Sequence, residues 1–134
     1  MLNANGVRYL LIGGYAVGFH GYPRATNDID IFIAKDLDNA RRLVKSLSDF
    51  GFETSELSDE IFTQEKSIVR MGVEPMKIEI ANFISGVEFD EAYADRVIAA
   101  IDDVEVSLIS LHYLKINKRA SGRYKDLNDL ENLP

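Results

Sequence analysis

The sequence predicts a single α/β domain of the α+β kind: a mixed β-sheet flanked by helices and closed by a C-terminal helix pair. Three observations carry this. "NDIDIFIA" (27–34) is a short run rich in β-branched residues, the composition of a strand. "DLDNARRLVKSLSDFGF" (36–52) places Leu37, Ala40, Leu43, Val44, Leu47 and Phe50 at helical spacing, with acids in its first turn and Gly51 as a stop. No repeat, low-complexity tract or linker interrupts the 134 residues, so one domain spans 1–134.

In chain order, "VRYLLIG" reads as a buried strand ended by Gly13-Gly14, and "YAVGFHG" as one or two helical turns closed by Gly21, Tyr22 and Pro23. The 27–34 strand and the 36–52 helix follow. Ile61 to Val69 is expected as a strand, and "MKIEIANF" as another, by its alternation. "FDEAYADRVIAAI" (89–101) repeats apolar positions as one helical stripe, and "VEVSLI" fits a short strand. A basic helix ending at Gly122 and a last helix over about 125–133 complete the order β-α-β-α-β-β-α-β-α-α.

Composition narrows the chemistry. Apolar residues make up 46% and charged residues 28%, ordinary for a globular domain. No stretch is long and apolar enough to span a membrane, and no signal-peptide pattern opens the chain. With no cysteine and only His20 and His112 as imidazoles, a metal here is expected to be a hard ion on carboxylates. The lack of cysteine agrees with a cytoplasmic location. The net charge of −7 opposes a polyanion over the surface as a whole. Residues 53–65 nevertheless hold five acids and no base, which reads as a solvated loop, while 115–125 hold five bases and no acid.

The carboxylates of "DID" are the unusual feature. Strand alternation sends Ile29, Ile31 and Ile33 to the core and puts Asp28 and Asp30 together on the other face, about 6.6 Å apart. Two such charges remain ionised cheaply only beside a cation. In "KIEIA", Glu79 shares a face with Lys77 and Ala81. If its strand pairs beside the Asp28 strand, Glu79 becomes a third oxygen donor, a set suited to Mg²⁺. A Gly13-Gly14 turn opening a helix lets a phosphate approach backbone N–H groups, and Arg24 precedes the aspartates where it could pair with phosphate.

Each part has an ordinary reading when taken alone. A Gly-Gly pair is a tight turn, Asp-x-Asp a surface pair, and Glu79 the wet face of an edge strand. His20, beside Gly21 at a helix end, is expected to cap or pack rather than catalyse. Lys118 is either a phosphate contact or part of a solvated helix face. Asp126 and Asp129 are expected as helix caps or salt-bridge partners of the basic stretch.

Together, "GGYAVGFHGYPRATNDIDIFI" resembles the signature of the β-polymerase-like nucleotidyltransferase superfamily. Its Gly-Gly-x-Ala-Val form, with Arg24 and Thr26 before the aspartates, is similar to a branch of small bacterial members. Relatives there belong to toxin–antitoxin and abortive-infection systems or modify antibiotics. "KIEIANFISGVEFDEAYADRV" resembles the branch's third-carboxylate strand and the helix after it, with Glu79 where Asp is commoner. The ending Lys118, Gly122, Arg123, Asp126 and Asp129 resembles its Lys-x-x-x-Gly-Arg-x-x-Asp-x-x-Asp pattern. The chain starts only a few residues before its first strand, where relatives often carry a further helix.

The resemblance implies a minimal nucleotidyltransferase fold. An acceptor hydroxyl would attack the α-phosphate of an NTP and release pyrophosphate. Asp28, Asp30 and Glu79 would bind Mg²⁺ (Mn²⁺ being the alternative) and carry the catalysis, with Glu79 a candidate general base. Gly13, Gly14, Arg24, Thr26, Lys118 and Arg123 would bind the nucleotide. The acceptor is expected to be RNA or protein, with an antitoxin-like partner, and the oligomeric state is open. One alternative is adenylylation of a small cationic antibiotic. Another is a catalytically silent module that binds nucleotide or a partner; three retained carboxylates argue against it. A glycosyltransferase, which also uses Asp-x-Asp, needs a much longer chain.

Overall fold

The computed structural model of the chain describes residues 2–23, 28–49, 51, 58–73, 76–101 and 103–134. Six strands form one mixed sheet: β1 (Tyr9–Ile12), β2 (Asp28–Ile33), β3 (Ile68–Val73), β4 (Met76–Ala81), β5 (Val97–Ile101) and β6 (Val104–Leu108). Among the described residues six α-helices accompany them: α1 (Gly13–Phe19), α2 (Leu37–Asp49), α3 (Asp59–Thr63), α4 (Phe89–Ala94), α5 (Leu111–Ser121) and α6 (Tyr124–Asn132). The sheet runs β3-β4-β2-β1-β6-β5, with β2 parallel to β4, β1 parallel to β6, and the other neighbours antiparallel. None of the described helices is long and apolar enough to cross a membrane.

Register divides the sheet into two faces. Leu11, Ile31 and Ile80 stand in one cross-strand row on the main core face, where Ala40, Leu43 and Leu47 of α2 also enter the core. Burying side chains of this size contributes about 1.5–3 kcal/mol each. On the other face, Leu10, Phe32 and Ala81 form a second row that also leaves water, beneath Phe89 and Ala92 of α4. Phe32 and Phe89 meet edge to face at 5.1 Å. Thus β2 is apolar on both faces at its C-terminal half and carries carboxylates only near its start.

Two expected elements are corrected. Residues 61–69 do not form one strand: Asp59–Thr63 is a helix, and the strand begins at Ile68. Asp59 and Glu60 favour the first helical turn, and α3 drops Phe62 into the core at 1% exposure. Residues 89–101 do not form one helix either: α4 stops at Ala94, and Val97–Ile101 pairs with β6 as a hairpin. The 89–101 stripe also fits period two, with Ala99 buried between exposed Ile98 and Ala100. Asp103, at φ 64°, supplies the left-handed residue that a two-residue hairpin turn needs.

The C-terminal helix pair forms as expected. Ser110 Oγ accepts a hydrogen bond from the Tyr113 N–H as the N-cap of α5, and Gly122 at φ 64° ends it. His20 caps the end of α1, with its Nε2 2.7 Å from the Ile109 carbonyl oxygen, the packing role expected of it.

Candidate active site

The pairing of β2 with β4 meets the condition on which Glu79 depended. Asp30 lies directly opposite Glu79, and Asp28 opposite Lys77, on parallel neighbouring strands. Neighbours of this kind are about 4.8 Å apart, so Asp28, Asp30 and Glu79 share one patch of one face. Extending the rows through β3 gives Arg70, Glu79, Asp30 and Ile12 in one line, and Gly72, Lys77 and Asp28 in the next.

Gly13 opens α1 beside this patch, with φ at 68°, in the left-handed region. A Cβ on Gly13 would overlap the Asp30 carboxylate and stand 2.8 Å from the Asp30 Cβ. Both the backbone and the space therefore require glycine. Gly13→Ala is expected to cost about 1–2 kcal/mol from the backbone alone, with displacement of Asp30 on top. Gly18, with nothing near its missing Cβ, is the reference: Gly18→Ala should stabilise by about 0.5–1 kcal/mol. Urea denaturation of the two variants measures the contrast.

A cleft of about 460 Å³ opens over the carboxylates. Gly13, Gly14, Asp28, Asp30 and Glu79 line one side, and Asn117, Lys118, Ser121, Arg123 and Lys125 of the C-terminal helix pair line the other. Seven of the nine residues singled out by sequence thus meet in one cleft. Arg24 and Thr26 lie outside the described residues.

The electrostatics oppose each other across the cleft. Burial pushes the half-buried Asp30 carboxyl above its ordinary value, Glu79 and Asp28 push it further, and Lys125 and Lys118 partly offset this. Lys118 is 5% exposed, and its Nζ sits 3.1 Å from Asp126 Oδ1 and 3.0 Å from Asp129 Oδ2. Arg123 also donates to Asp126, Nε to Oδ2 at 2.8 Å, from a side chain that is 73% exposed. Burial alone would raise the Asp126 carboxyl, but the hydrogen bonds from Arg123 and Lys118 win and hold it below its ordinary value. Asp126 and Asp129 are the salt-bridge partners expected of the basic stretch.

The donor set suits a hard divalent ion. The raised Asp30 marks a place where a cation would relieve both desolvation and repulsion. Among the described residues, however, no three acidic or imidazole side chains already stand together as a metal-binding group. One reason is visible: Glu79 Oε2 accepts from Arg70 Nε at 3.0 Å. Glu79 would join Asp28 and Asp30 as a ligand through its other oxygen or on leaving Arg70.

Sequence reasoning missed Arg70, Asn117, Ser121 and Lys125. Lys125 lay within the basic run, and Asn117 and Ser121 stand one helical turn apart on α5, the first next to Lys118 and the second three residues after it. Arg70 carried no local signal, because only the β3–β4 register brings it to Glu79.

No curated protein matches the chain. Residues 1–133 match the family described as "Nucleotidyltransferase of unknown function (DUF6036)". The match spans all but the last residue, and the chain belongs to this nucleotidyltransferase family.

Proposed function

We propose that this protein is a Mg²⁺-dependent nucleotidyltransferase that moves an NMP from an NTP to a hydroxyl acceptor. One observation carries the reading: a single cleft joins Asp28, Asp30 and Glu79 to a glycine that makes room beside them and to Lys118, Arg123 and Lys125 opposite. Transfer forms a bond from the acceptor oxygen to the α-phosphorus and breaks the bond from that phosphorus to the bridging oxygen, and pyrophosphate leaves.

The protein's part is positioning and charge neutralisation. Asp28, Asp30 and Glu79 would hold the metal. When bound, a divalent ion supplies charge neutralisation at the triphosphate and lowers the pKa of the acceptor hydroxyl. Arg123 and Lys125 face the carboxylates across the cleft and offset phosphate charge. Glu79 has the reach to take the proton of the attacking hydroxyl. Gly13 keeps Asp30 in place by leaving it the space a side chain would fill.

The Arg70–Glu79 pair favours one second reading, a nucleotide-binding module with its third carboxylate tied up. Label transfer separates the two. Incubation with each α-labelled NTP, Mg²⁺ and a panel of RNA, protein and aminoglycoside acceptors should move label to one acceptor class, and excess chelator should stop it. Nucleotide binding without transfer to any acceptor would favour the module.

A further inference from the structure

A second cleft, of about 380 Å³, lies on the outer side of the same carboxylates. Asp28 and Glu79 line both clefts, so the two meet at the candidate metal ligands. The outer one is bounded by Arg70 and Lys77, and Gly72 lies across from Lys77 in the register with no side chain to fill the space. The carboxylate patch is therefore flanked by bases on two sides. Lys118, Arg123 and Lys125 stand toward the C-terminal helices, and Arg70 and Lys77 toward the sheet edge at β3.

We propose that the outer cleft receives the phosphodiester backbone of a single-stranded nucleic acid acceptor, with Arg70 and Lys77 as its phosphate contacts. The proposal rests on the transferase reading and names its acceptor class. A triphosphate needs only one of the two basic walls, and the second is left for another anion. Arg70 suits the role: its side chain is 71% exposed, and its bond to Glu79 uses Nε. A phosphate that draws Arg70 away also releases Glu79 for the acceptor hydroxyl. The overall charge of −7 confines the contact to a few phosphates, so the affinity should be modest and its salt dependence shallow.

The test is fluorescence anisotropy of the full chain with labelled single-stranded RNA and DNA of about ten nucleotides, beside a fluorescent ATP analogue. Arg70→Ala/Lys77→Ala should weaken oligonucleotide binding about tenfold or more and lower the salt slope by roughly 0.7 for each base removed. Analogue binding should hold or tighten, since loss of Arg70 releases Glu79, and Lys45→Ala on α2 should change neither. Lys77→Gln alone, at an exposed strand position that leaves the Arg70–Glu79 pair intact, should show part of the effect. Preference for RNA or for DNA identifies the sugar, and either supports the proposal. Unaltered oligonucleotide binding in the double variant, or none in the wild type while the analogue still binds, overturns the acceptor assignment and leaves the transferase reading standing. Failure of the wild type to bind the analogue overturns both.

Discussion

Asp30→Asn is expected to lower label transfer by about a thousandfold or more while leaving the melting temperature unchanged or higher. The two effects have one origin. Asp30 is half-buried, opposite Glu79 in register and two residues from Asp28, so its negative charge is desolvated and repelled in the folded chain. A neutral isostere removes that cost and keeps the shape packed beneath Gly13. Under the proposed function, the same neutralisation removes a metal ligand from beside the triphosphate. A group that is unfavourable for folding yet central in the cleft fits a functional role better than a structural one. Thermal unfolding and label transfer on one preparation check both halves. Persistent transfer would take Asp30 out of the site. A steep fall in stability would make it a structural residue instead.

The carboxylate patch was legible because strand alternation is a strict rule. From "DID" alone, period two puts Asp28 and Asp30 on one face and Ile29, Ile31 and Ile33 on the other, as in the structure. Glu79 was legible only conditionally, since sequence gives the face of a strand but not its neighbour. The pairing of β2 with β4 in the right register is a long-range fact. Arg70 shows the limit of such reasoning, because an exposed arginine on an edge strand has meaning only once Glu79 is beside it. The 89–101 segment shows a different limit. Its apolar residues satisfy helical spacing and alternation at once, and pairing with β6 decides between them. Alternation also puts Phe32 on the carboxylate face, yet nothing local in the sequence reveals that α4 covers it.

The second large effect is expected at Lys118. Lys118→Met should cost about 3–5 kcal/mol of stability, because it removes the buried cation that bridges two buried carboxylates. Asp126 and Asp129 are each 1% exposed, and Lys118 bridges both from α5 to α6. Arg123 still reaches Asp126 in the variant, so the strain should fall chiefly on Asp129. The pH dependence carries a sign. Asp126 has a folded-state pKa below its ordinary value, so its pairing contributes stability above an unfolded pKa of about 3.9 and loses it as pH falls through the lower folded value. The gap between wild type and Lys118→Met, measured by urea unfolding, should therefore be widest near neutral pH and narrow below about pH 4. Function adds the deciding comparison. Asp126 pairs with both Lys118 and Arg123, and the bond from Arg123 does not pass through Lys118. If Lys118 is a scaffold, a folded Lys118→Met sample at low temperature should keep most of its nucleotide affinity, and Arg123→Ala should lose more. A variant with wild-type stability and no nucleotide binding would make Lys118 a direct phosphate contact.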